Sequence, residues 1–449
     1  MNAAHTLDVR QHINGRKMSG YQWLLLVLCF LIVTTDGMDV AIMGFLAPGI
    51  TREWGISKAA FGVVMSAAPV GLAIGALLIG PLSDRFGRKR LLMVAVAWFG
   101  SFSILCSLAN DVYTLSILRF LTGLGLGAAM PNTTTLLSEY VPERSRGTLL
   151  AIMFTGFNLG SALVGFGAAA ILPEHGWRAV LVAGGIIPLA LVPLYLFLIP
   201  ESVRFMVVNN HPAERIARTL RRVVGAGGGS AEFSAATRFT ISEQKIESKA
   251  KAKTLLTPAF RGITLSLWAT YFMGLLVIYL LSGWLPTLIK DAGLPIERAA
   301  GITAMFQLGG TVGALVVGYL MDRWTPNKVI AATYVAGAAF ILLVAAGSVH
   351  SSLFSVFVLC AGFCMSGAQT GLNAFAPGCY PTAVRATGVS WMQGIGRFGS
   401  IFGSFAGGLM LSLGWGFSAV IAVLAVPATI AALSIVFTRF APRGVAAQA

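Results

Sequence analysis

Apolar runs of about twenty residues recur from one end of this chain to the other, and as helices rising 1.5 Å per residue such runs are long enough to cross ~30 Å of hydrocarbon. Twelve spans are predicted, at about 22–47, 59–82, 90–109, 112–138, 147–171, 178–199, 260–288, 300–321, 329–347, 352–374, 386–411 and 414–438. Only 11% of the 449 residues are charged, less than half the roughly 25% that coats a soluble domain. A soluble enzyme, a secreted disulfide scaffold and a disordered chain are therefore excluded. The fold class left is an all-α polytopic membrane protein.

The net charge of +15 would suggest nucleic acid in a soluble protein, but here its distribution matters more than its size. With the N-terminus inside, 25 of the 32 Lys and Arg fall in loops and tails on that side, five fall on the other, and Arg119 and Arg397 lie within spans. The positive-inside rule puts both termini in the cytoplasm and the chain in a cell (inner) membrane. No nucleic-acid partner is expected. The first apolar run reads as a full span, with no signal-peptide cleavage site. The five cysteines lie in or beside apolar runs with no His or carboxylate near Cys360 and Cys364, so they read as small buried side chains. No metal or other cofactor is expected.

Hydropathy collapses between residues 200 and 259. This basic linker holds an AGGGSAE segment, a Lys-rich run ending at Lys253 and an amphipathic stretch near Pro212–Val224. It reads as a solvated cytoplasmic tether lying near anionic lipid. It separates two six-span halves, 1–199 and 260–449, that echo one another. GPLSDRFGRKR at 80–90 superposes on GYLMDRWTPNK at 318–328, a spacing of 238, and YVPERSRG at 140–147 is echoed by YPTAVRATG at 380–388, with Arg146 on Arg385 at a spacing of 239. In the second register Asn158 meets Arg397. Duplicated halves of this kind form a substrate site near the midplane between them.

These motifs resemble those of the major facilitator superfamily over essentially the whole chain. GPLSDRFGRKR is similar to that family's signature between helices 2 and 3, RFLTGLGLGAAMPN at 119–132 to its helix 4 motif, and PESVRF at 200–205 to the segment after helix 6. Within the family, DGMD at 36–39, with WLPTL at 284–288 and GIGRFGSIFG at 394–403, resembles the aromatic acid:proton symporters of the 4-hydroxybenzoate, protocatechuate and benzoate type. The resemblance implies two pseudo-symmetric six-helix bundles and import of a hydroxybenzoate-like aromatic carboxylate with protons. In the second half TPN at 325–327 replaces the Gly-Arg of the first copy, which implies a weaker or differently held second gate.

An ionisable residue at the bilayer centre is costly and marks function by default. Asp36 and Asp39 are three apart on one helix face, and Arg119 and Arg397 lie at similar depth. Carboxylates that close compete to keep a proton, and a nearby guanidinium opposes this. Asp36, Asp39 and Arg119 are thus candidates for proton coupling, against the plainer reading of an ion-pair network locking spans 1, 4 and 11. Arg397, a planar fork suited to a carboxylate, is the candidate substrate anchor. Tyr271, Tyr279, Gln307, Gln369, Asn373 and Asn158 are candidate lining residues, and Trp284 reads as an interfacial anchor. Asp84, Arg85, Arg88 and Glu139, with Asp322 and Arg323 of the second copy, read as an interhelical latch that breaks and re-forms as the halves rock. The expected partners are the aromatic carboxylate, protons and the bilayer, with a monomer as working unit. Alternatives are a symporter of another organic anion, an exporter of drugs or amphiphiles, and a transporter-like sensor. Export is disfavoured because GFNLGSALVGFG at 156–167 lacks proline, and a sensor because both tails are short.

Overall fold

The computed structural model describes residues 6–79, 82–224, 237–240 and 252–438. The AGGGSAE segment, most of the Lys-rich run and the Asp84 side chain lie outside the described residues. Among the described residues, ten helices are long and apolar enough to cross a membrane. One of them, Glu143–Leu198, supplies spans 5 and 6. Its chain turns at Gly176, whose φ of 72° suits a residue without a Cβ. The helix Thr382–Ser412 supplies span 11. It is the polar exception among the spans because glycine, serine and Arg397 dilute its apolar residues. Twelve spans result, as predicted.

Glycines set how the spans pack, and they do so twice. A Cβ on Gly71 would lie 2.1 Å from the Phe120 carbonyl oxygen, and one on Gly309 2.0 Å from that of Leu359. Gly123 meets the Ala68 oxygen at 2.1 Å, as Gly362 meets that of Phe306 at 1.9 Å. Gly160 faces the Thr34 oxygen and Gly399 that of Phe272 in the same manner, at 1.9 and 2.3 Å. Backbones this close need bare helix flanks. Span 2 therefore packs on span 4 as 8 does on 10, and span 1 on span 5 as 7 does on 11. The matched contacts fix the register between the halves at 238 residues for spans 1 and 2 and 239 for spans 4 and 5.

The halves meet closely at the face opposite the termini. A Cβ on Gly44 would lie 2.7 Å from the carbonyl oxygens of Ser282 and Gly283, and one on Gly408 2.4 Å from that of Lys58. Lys58 pairs with Asp291 across the same joint. Trp284 does not anchor the chain at an interface. It is wholly buried in this joint, donating from Nε1 to the Ser404 carbonyl at 2.7 Å and standing edge-on to Phe61.

The face bearing the termini differs from expectation at the linker. Helix Ala213–Val224 falls where the amphipathic stretch was read, but it is docked rather than tethered in solvent. Ile216, Ala217, Leu220, Val223 and Val224 are buried in the same apolar cluster as Leu25, Tyr140 and Tyr195 of the first half. Ser19 Oγ donates to the Val223 carbonyl, and Arg222 donates to that of Phe197 at 3.0 Å. Strand Thr6–Asp8 also pairs in parallel with Arg238–Thr240, joining the N-terminal arm to the linker.

Candidate functional site

Span 1, within helix Gly20–Trp54, carries Asp36 and Asp39 into the middle of the molecule, where they are 2% and 3% exposed. Although three apart on one helix, they face different partners. Arg119 on span 4, helix Val112–Tyr140, lies 3.0 Å from Asp39 Oδ2, donates from Nη1 to Oδ1 at 3.1 Å and from Nη2 to the Asp39 carbonyl at 3.1 Å. Cys106 lies against the same guanidinium. This pair is closed within the first half.

Asp36 instead faces Arg397 of the second half, and its Oδ1 has no hydrogen-bond partner among the described residues. Arg397 is partly exposed, and two tyrosines surround it. Tyr279 lies beside its guanidinium. Tyr271 packs on Gly396, where a Cβ would lie 2.0 Å from ring atom Cδ1. Tyr271 in turn reaches Asn373 and Gln369, and Tyr334 donates to Gln369 Oε1 at 2.9 Å. A partly exposed cationic fork, a buried carboxylate and two aromatic rings thus converge between the halves, below the sealed joint.

Gln307 on span 8 and Asn158 on span 5 lie at a second pole of this region. Gln307 donates from Nε2 to Ser282 Oγ at 2.8 Å. Asn158 approaches Gly310, where a Cβ would be 3.3 Å from its Cγ. Ser282, Ser366 and Tyr334 were missed from the sequence as site members. Ser366 was findable, because it stands three residues before Gln369 and seven before Asn373 on a single helix face.

The latch candidates divide. Arg88 Nη2 lies 3.1 Å from Glu139 Oε1, and Ser202 Oγ donates to Glu139 Oε2 at 2.5 Å. Glu201, unremarked within PESVRF, accepts from the Lys89 backbone N–H at 3.0 Å, capping helix Arg88–Cys106. Gly87, at φ 95°, makes the turn there, and a Cβ on it would lie 2.6 Å from Glu201 Oε2. All of these contacts lie within the first half and the start of the linker that follows it. Arg85 is exposed over the ring of Phe86. In the second half Asp322 and Arg323 are exposed, and Arg323 lies over the Tyr319 ring at 4.6 Å rather than against an acid.

The family profile described as Major Facilitator Superfamily matches residues 28–376 and 267–448. The gallate transporter of Pseudomonas putida is 57% identical over 429 residues, covering 96% of this chain and 94% of that protein. The 4-hydroxybenzoate transporter PcaK of Pseudomonas aeruginosa is 46% identical, with 96% of each chain covered. Among solved structures, the inward open conformation of the xylose transporter XylE from E. coli superposes with a TM-score of 0.71 at 18% identity, covering 94% of this chain and 96% of that one. The last likeness concerns the fold, whereas the first two concern descent along nearly the whole sequence. The chain is a multi-pass membrane transporter rather than an enzyme, and it belongs to the Major Facilitator Superfamily, in the aromatic acid transporter branch of those two relatives.

Proposed function

We propose that this chain imports a hydroxylated aromatic carboxylate together with protons by alternating access, in the cytoplasmic membrane and with both termini inside. The observation that carries the reading is the buried Asp36, its Oδ1 without a hydrogen-bond partner among the described residues, facing Arg397 across the two halves, with Tyr271 and Tyr279 beside it. The names of the relatives, a gallate and a 4-hydroxybenzoate transporter, supply the substrate class. In the empty carrier the Asp36 carboxylate balances Arg397. A proton arriving at Asp36 neutralises that balance and leaves the guanidinium to the substrate's carboxylate, for which a bidentate fork is the natural partner. Substrate and proton then depart together, and the Asp36–Arg397 balance is restored. Asp39 and Arg119 hold span 1 against span 4 and sense the change three residues away. Arg88, Glu139 and Ser202 act as the gate on the cytoplasmic face.

The test is uptake of labelled 4-hydroxybenzoate into proteoliposomes with and without an inward proton gradient. Accumulation above equilibrium that requires the gradient supports the reading. If no member of a hydroxybenzoate panel accumulates in folded, correctly oriented protein, the reading fails.

A further inference from the structure

The Asp36–Arg397 end of the site accounts for a carboxylate but leaves the second pole unexplained. There Gln307 is 2% exposed and Ser366 4% exposed. Gln307 Oε1 and Ser366 Oγ have no hydrogen-bond partner among the described residues. Turning the Gln307 amide does not help. One end is held by Ser282 Oγ, and the other is left over either way. Gly310, one turn along span 8 from Gln307, leaves room for both Ser366 and Asn158. A Cβ there would lie 2.8 Å from Ser366 Oγ and 3.3 Å from Asn158 Cγ. Four polar side chains from spans 5, 7, 8 and 10 therefore converge on one buried spot.

Packing does not require them. In the register set by the paired glycines, Gln307 corresponds to Pro69, Ser366 to Gly127 and Ser282 to Gly44 in the first half. The same helix crossings form there with no polar side chain at these three positions. A buried polar group left unsatisfied is costly, about 1–3 kcal/mol each, so groups added where the fold does without them point to a ligand that satisfies them.

The two poles are also spaced for such a ligand. Tyr279, which reaches Arg397, and Ser282, which holds Gln307, are three apart and share one face of span 7. Three residues rise about 4.5 Å along the helix, on the scale of a single aromatic ring. The leftover atoms are an amide oxygen, which accepts, and a serine hydroxyl, which both accepts and donates. A phenolic hydroxyl, donor and acceptor at once, matches both.

We infer that Gln307, Ser366, Ser282 and Asn158 form a ring-hydroxyl subsite, making a benzoate with two or three adjacent hydroxyls the preferred cargo over one with none. This inference rests on the proposed function and adds the residues that set its specificity.

The test is competition against uptake of labelled 3,4,5-trihydroxybenzoate by the full-length transporter in proteoliposomes. The competitors are unlabelled benzoate, 4-hydroxybenzoate, 3,4-dihydroxybenzoate, 3,4,5-trihydroxybenzoate and 3,4,5-trimethoxybenzoate. The trihydroxy acid should compete at least ~10-fold better than benzoate, with the mono- and dihydroxy acids in between, because a site built around a hydroxyl rejects analogues that lack it. The trimethoxy acid, which cannot donate, should compete no better than benzoate. Gln307→Leu and Ser366→Gly, the latter installing the residue the first half has there, should each cut the trihydroxy-to-benzoate ratio below ~3-fold. Equal competition by hydroxylated, methoxylated and bare rings overturns the inference and leaves the proposed function standing. So does an undiminished ratio in both variants. If no aromatic acid is taken up or competes, the proposed function itself fails. Should a variant not fold, the wild-type hydroxy-against-methoxy comparison decides alone.

Discussion

The two halves share one packing scheme and have diverged in opposite chemical directions. The charges Asp36, Asp39 and Arg119 of the first half correspond to Gly274, Val277 and Val358 of the second. The buried neutral polar groups Ser282, Gln307 and Ser366 of the second correspond to Gly44, Pro69 and Gly127 of the first. At Asn158 and Arg397 a polar residue of one half corresponds to a charge in the other. Duplication supplied a frame in which either copy packs without these groups, so each copy was free to specialise. On the proposed reading the first half manages charge and the second reads the cargo, with Arg397 as the one cation the second half lends to the first.

The sharpest way to break this comparison is to neutralise the two aspartates separately. Asp36→Asn removes the carboxylate that faces Arg397, so accumulation driven by a proton gradient should be abolished. Exchange of labelled for unlabelled 4-hydroxybenzoate without a gradient should survive, because the cationic fork remains. Gradient-driven accumulation at the wild-type level would end the assignment of coupling to Asp36. Arg397→Ala should lower both uptake and exchange by roughly 100-fold, the scale expected when the cation that would pair with the substrate's carboxylate is cut away.

Asp39→Asn should act first on stability. It leaves Arg119, 1% exposed, without the carboxylate paired with it, a loss of about 3–5 kcal/mol. Thermal unfolding in detergent should show a clear drop in midpoint for Asp39→Asn and little change for Asp36→Asn. The reverse order would mean that the pair closed within the first half is not what holds span 1 to span 4.

Much of the fold was legible in the sequence because the bilayer demands one repeating signal, a long apolar helix, and the duplicated motifs gave the halves. Asp36, Asp39, Arg119 and Arg397 stood out for the same reason, since a charge within an apolar run has few innocent explanations. Partner choice was not legible. Asp36 and Asp39 share a face by spacing, and only the approach of span 11 separates them. Trp284 was misread because position near a helix end does not reveal whether lipid or a second half lies beside it. The docking of helix Ala213–Val224 was hidden likewise, since amphipathicity says that a face is covered without saying by what. The pairing of Thr6–Asp8 with Arg238–Thr240 is too short to carry a period.

The smallest effects lie at the two copies of the gate motif, and they test whether the halves differ there as well. Arg88 is 5% exposed and sits against Glu139, which Ser202 also holds. Arg88→Ala leaves that carboxylate buried without its guanidinium, at a cost of about 3 kcal/mol, and uptake should fall with it. Arg323 occupies the equivalent of Arg85, exposed over a ring of its own helix. Arg323→Ala gives up an exposed cation–π contact of about 0.5–1 kcal/mol, and Asp322→Asn, a change to an exposed side chain, should stay within ~0.5 kcal/mol. The expected outcome is a lowered melting midpoint and reduced uptake for Arg88→Ala, with Arg323→Ala and Asp322→Asn within about two-fold of wild type in uptake. A loss at Asp322 or Arg323 as large as that at Arg88 would have a specific meaning. The second motif would then find its partners only when the face bearing the termini closes, and both copies would take part in the gate despite their different surroundings here.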